Sequence, residues 1–160
     1  MSKIWDWIET LPFAATIAEG WGFPLCESLH VVGATFVMGS ILMLDLRLLG
    51  VAGRRYPVSQ IIREIVPWTL GGFALAVVFG LGLFITQPNR YMGNRAFQIK
   101  LVLLLLAVIN MLVFHFWSKR RIATWDTTNT TSSGAKLAGA CSLLLWIGVM
   151  LAGRWVGHLL

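Results

Sequence analysis

Four runs of apolar residues divide the chain, and each is long enough to cross a bilayer. They predict membrane-spanning helices at about 23–49, 68–86, 96–117 and 137–157, since a spanning helix needs about 20 mostly apolar residues. Ahead of the first run, residues 4–18 set Trp5, Trp7, Ile8, Leu11 and Phe13 against Asp6 and Glu9. That pattern predicts an amphipathic segment lying on the bilayer surface, with Pro12 kinking it or opening a second short helix. Between the first two runs, GVAGRRYPVSQIIREIVP reads as a basic connector. Its segment 58–66 predicts a half-buried interfacial helix with Ser59 as N-cap. The loop QPNRYMGN turns the chain through Pro88 and Gly93, and a polar loop, SKRRIATWDTTNTTSSGA, precedes the last run.

Small residues recur at helical spacing in two of the runs. Gly72, Ala76 and Gly80 in the second and Gly148 and Ala152 in the fourth make stripes on which another helix can approach closely. The fold class that follows is all-α: a polytopic membrane four-helix bundle with an N-terminal amphipathic interfacial helix, in a single domain over 1–160.

Composition agrees. Of 160 residues, 57% are hydrophobic and only 12% charged, where about a quarter charged is usual for a soluble domain. The net charge of +6 comes from residues in short loops beside the spans. Membrane topology accounts for it, and no nucleic-acid partner is expected. The first 20 residues contain acids, a proline and tryptophans, so no cleavable signal peptide is expected. Cys26 and Cys141 both sit in apolar runs and indicate neither a disulfide framework nor a zinc cluster. Eight Lys and Arg flank one side, Arg47 among them, against five on the other. The positive-inside rule then predicts both termini outside, periplasmic in a bacterial inner membrane. Asn129-Thr130-Thr131 spells a glycosylation sequon, but on this topology it faces the cytoplasm.

Polar residues at membrane depth are the candidate chemistry, because an ionisable side chain there costs at least ~2.5 kcal/mol and normally faces protein or ligand. Glu27 and His30 lie one helical turn apart near the start of the first run. Lys100 enters from the same side in the third, and Arg154 and His158 reach that side at the end of the fourth. His115 follows Lys100 by fifteen residues, about 22 Å deeper at 1.5 Å per residue, so it cannot share a metal with His30 in one protomer.

His30 suits an axial haem ligand, with Gly33 and Ala34 leaving space and Arg90, Arg95 and Arg154 at the rim for propionates. The alternative is a hydrogen-bonded structural histidine oriented by Glu27. His115 reads as a second metal ligand or an interfacial histidine, and His158 as a second axial ligand or a solvated residue. Lys100 belongs to the site or snorkels to the interface. Glu27 is a proton relay or a charge partner for Lys100. Asn110 is a candidate helix-to-helix hydrogen bond. Copper is the competing metal, but Met38, Met43, Met92, Met111 and Met150 with the two cysteines make no compact thioether site.

The segments ESLH, LDLRLLG, RRYPVS, PWTLGGF, RYMGNRAFQIK and NMLVFH, spanning about 24–117, resemble an uncharacterised bacterial family of four-span membrane proteins. That family is distantly similar to the CopD-type copper-resistance domain and to HemJ-type protoporphyrinogen oxidases. The resemblance to HemJ implies a role for His30 and Lys100 and b-type haem as cofactor. The expected function is thus a membrane b-type haem protein, in electron transfer or a haem-dependent oxidoreductase, with a redox partner protein. The alternatives are a CopD-like copper or small-solute protein and a cofactor-free subunit of a membrane complex. So small a bundle has little room for a macrocycle, and a homo-oligomer sharing sites at its interfaces is expected.

Overall fold

A computed structural model describes residues 3–53, 55–118 and 131–159. Seven helices are present among them: α1 (Lys3–Glu9), α2 (Pro12–Ala18), α3 (Gly22–Leu49), α4 (Val58–Thr86), α5 (Pro88–Gly93), α6 (Arg95–Ser118) and α7 (Ser133–Leu159). Four of them, α3, α4, α6 and α7, are long and apolar enough to cross a membrane. The protein is an all-α membrane bundle, as its hydropathy pattern predicts. Residues 119–130, which make up most of the polar loop and include Asn129, lie outside the described residues.

Two antiparallel hairpins build the bundle. α3 packs along α4, α6 packs along α7, and α3 meets α7 to join the pairs. The stripe of small residues on α4 makes the first hairpin tight. A Cβ on Gly33 of α3 would lie 2.6 Å from the Ala76 amide nitrogen and 2.7 Å from the Gly72 carbonyl oxygen. Only glycine lets the two backbones come that close. In the second hairpin Gly148 of α7 faces Leu103 of α6, and Asn110 donates from Nδ2 to the Ala138 carbonyl at 3.1 Å. Both stripes are therefore used within the bundle, and Asn110 bonds helix to helix as its depth suggests.

At the end that carries both termini, α1 rests on α5 and α2 on α3 and α4. Pro12 stands at the first turn of α2, where its missing donor is harmless. Asn89 of α5 donates from Nδ2 to Asp6 of α1 at 2.8 Å. Trp5, Phe84, Tyr91 and Phe97 form an aromatic cluster under these short helices, with Phe84 and Phe97 stacked at 5.7 Å between centroids.

Three local expectations change. The connector helix and the second span are one element: α4 runs unbroken through Pro67. A proline lacks the N–H for the ladder, yet a spanning helix tolerates it because neighbouring groups satisfy the freed carbonyl. Pro57, not Ser59, stands at the N-cap of α4. Arg47, counted with the connector charges, is buried inside the bundle at 2% exposure. Its Nε donates to the Tyr56 carbonyl at 2.9 Å and its Nη1 to Thr131 Oγ1 at 3.3 Å, fastening the connector and the start of the last hairpin arm to α3.

Candidate functional site

Two polar side chains from the sequence-derived set come together, His30 of α3 and Lys100 of α6. His30 Nδ1 lies 2.6 Å from the Ala76 carbonyl oxygen of α4. A carbonyl only accepts, so Nδ1 carries the proton, and a lysine amine facing Nε2 leaves the lone pair on that nitrogen. Lys100 Nζ lies 3.4 Å from that nitrogen and donates to it. The imidazole is thus held by the first hairpin and met by an amine from the second.

Glycines shape the space around the pair. A Cβ on Gly80 would sit 2.8 Å from Nδ1 and 3.0 Å from Cε1 of His30, so α4 accommodates the ring edge only because position 80 is bare. On the other side, a Cβ on Gly153 of α7 would lie 3.7 Å from Lys100 Nζ. Cys26, one turn before His30, is buried with its Sγ 3.2 Å from where a Cβ on Gly82 would be. Along α4, Gly72, Ala76 and Gly80 therefore do three different jobs. Gly72 admits the α3 backbone, Ala76 orients the imidazole through its carbonyl, and Gly80 clears its edge.

The remaining candidates are placed elsewhere. The hydrogen bond that orients His30 goes to the Ala76 backbone and not to Glu27. Glu27 is exposed and acts instead on Tyr91, whose phenol is pushed up by burial first and by the Glu27 charge second. Gly33 was expected to leave space for a macrocycle beside His30, but the α4 backbone fills that space. Arg95 and Arg154 are exposed at the termini end, as is Arg90, which donates to Gln87 Oε1 at 2.8 Å. His115 and His158 are also exposed, each with an aromatic ring beside it, Phe116 at 6.0 Å and Trp155 at 5.9 Å. Among the described residues, no three His, Cys, Asp or Glu side chains gather as a metal cluster.

Around His30, two groups escaped the sequence reading. Ala76 contributes through its backbone, which no side-chain pattern reveals. Asn94 accepts at Oδ1 from the amides of Ala96 and Phe97 at 2.9 and 3.3 Å, and it donates to the Val156 carbonyl at 3.2 Å. It caps α6 and ties it to α7, so it fixes the turn from which Lys100 projects. An asparagine immediately before a long apolar run was the available signal.

Fold and site together define a class: a four-span helical membrane protein with an imidazole–amine pair between its two hairpins. The chain belongs to the family described as "Family of unknown function (DUF6644)", which matches residues 4–159. No curated protein and no solved structure gives a significant match, so the resemblance to the CopD type and to HemJ finds no support there.

Proposed function

We propose that this protein is a membrane b-type haem protein, serving electron transfer or a haem-dependent oxidoreductase, in which His30 would hold the iron. One observation carries the reading. His30 has its Nδ1–H bound to a backbone carbonyl and its Nε2 lone pair directed between the hairpins, the arrangement that fixes tautomer and ring direction in metal-binding histidines. The donor set fits the group: an oriented neutral imidazole in an apolar bundle is what a haem iron takes from protein. Lys100 Nζ stands 3.4 Å from Nε2, where a metal would bind, so its side chain would have to move aside for one. Bound there, haem would supply a one-electron redox centre.

The chain's own residues have separable tasks. Ala76 and Gly80 hold the ring in register. Released from Nε2, the Lys100 amine would be a donor for a propionate. Arg95 and Arg154, at the termini end, supply guanidinium groups that pair bidentately with carboxylates. The proposed setting is a bacterial inner membrane with both termini periplasmic, and a redox protein is the partner. A second copy of the chain would supply the volume that one bundle lacks.

Haem and copper content of protein purified after haem-sufficient expression tests the proposal. Stoichiometric haem with a Soret band is expected; protein without a Soret band overturns it. Stoichiometric copper would favour the CopD-type reading instead. The direct Lys100–His30 bond favours another alternative, a cofactor-free subunit whose polar pair is already satisfied. That reading requires metal-free protein co-purifying with a larger complex.

A further inference from the structure

A second polar locus lies at the other end of α3. Asp45 is fifteen residues beyond His30, about 22 Å along the helix axis. It is 3% exposed, packed against α7, where Gly139 leaves room for its backbone carbonyl and for Leu48. Ser142 of α7 bonds to its carboxyl group. The other oxygen, Oδ2, is buried and has no hydrogen-bond partner among the described residues.

The nearest charge along α3 does not neutralise it. Arg47, two residues on, directs Nε to Tyr56 and Nη1 to Thr131. From α7 the facing groups are Gly139 and Ser142, neither titratable. The neighbouring layer is apolar: Leu48, Val58 and Ala135, with Leu44, Ile62 and Phe114 against them. A carboxylate charge left in such surroundings without a partner is strongly disfavoured, and a proton on the bare oxygen removes that cost. A metal cation in place of the proton would need further oxygen or acid ligands, and no such cluster forms among the described residues.

We infer that Asp45 and Ser142 form a proton-binding site at the end of the bundle opposite the His30–Lys100 pair. The proton sits on Oδ2, and the Ser142 hydroxyl donates to the other oxygen. Acids that face the interior of a membrane bundle are the groups from which proton relays are built. The site stands independently of the haem reading.

Infrared spectroscopy of the full-length protein in liposomes tests it. At neutral pH the wild type should display the carbonyl band of a protonated carboxylic acid, downshifted in D2O and again on [4-13C]aspartate labelling. Alkaline titration should discharge it as a single proton. Asp45→Asn, isosteric with the protonated acid, should lose the band while keeping its melting temperature. Ser142→Ala should retain the band at a shifted frequency, which keeps the test open if Asp45→Asn fails to fold. His30→Ala should leave the band unchanged, which separates this site from the haem proposal. A wild-type spectrum with no aspartate-derived acid band overturns the inference. So does a sodium-dependent loss of that band at constant pH, which would make the occupant a metal cation.

Discussion

Each residue of the pair constrains the other. The Ala76 carbonyl accepts from Nδ1 and the Lys100 amine donates to Nε2, so one tautomer serves both bonds. Gly80→Ala tests how far the ring's orientation matters. The added Cβ would lie 2.8 Å from Nδ1 and should displace the ring from Ala76. Loss of such an orienting bond typically costs about 10–100-fold in metal affinity. Haem titration of the apoprotein should read a weakening of that size in Gly80→Ala, while equal affinity would mean the bond is unimportant. On the haem proposal, Lys100→Leu keeps haem but lowers the midpoint potential, because removing a neighbouring positive charge disfavours the reduced iron; potentiometry reads the sign. His30 and Lys100 were legible in the sequence because an ionisable group in an apolar run stands out. Their relation to each other and to Ala76 was not, since a backbone carbonyl carries no residue signature and contact between α3 and α6 depends on how the hairpins meet.

At the scale of elements, the four spans were legible from run length, and Pro12 correctly divided α1 from α2. The division between 58–66 and 68–86, at Pro67, was misleading. In water a proline marks a helix boundary, but α4 continues through it because the helix is held by its packing on α3 and by its bilayer setting. The glycine positions sharpen this point. Gly33→Ala would drive a Cβ into the α4 backbone at 2.6 Å, an overpacking that typically costs about 1–3 kcal/mol. Gly39→Ala and Gly71→Ala meet nothing within 4 Å, and removing a mid-helix glycine gains about 0.5–1 kcal/mol. Melting temperatures in detergent should therefore fall for Gly33→Ala and hold or rise for the other two. Equal behaviour of all three would contradict the tight α3–α4 crossing.

For the whole molecule, the arrangement of two hairpins sets polar groups at separate levels. His30 and Lys100 lie toward the termini end, Asp45 at the opposite end of α3, and His115 near the far end of α6. His115 is exposed beside Phe116 and has no other histidine at its level, so one haem per protomer is expected, with stoichiometry unchanged in His115→Ala. Proposed assembly into a homo-oligomer predicts a detergent-corrected mass above the 17.8 kDa of one chain; a mass of one protomer removes it. In the proposed haem protein the His30 imidazole, held by Ala76, would ligate the iron. Dithionite-reduced minus oxidised absorption spectra of the wild type, His30→Ala, His115→Ala and His158→Ala test it most directly. A b-type difference spectrum in the wild type, His115→Ala and His158→Ala, and none in a folded His30→Ala, is the predicted result; a full wild-type spectrum in His30→Ala would contradict it.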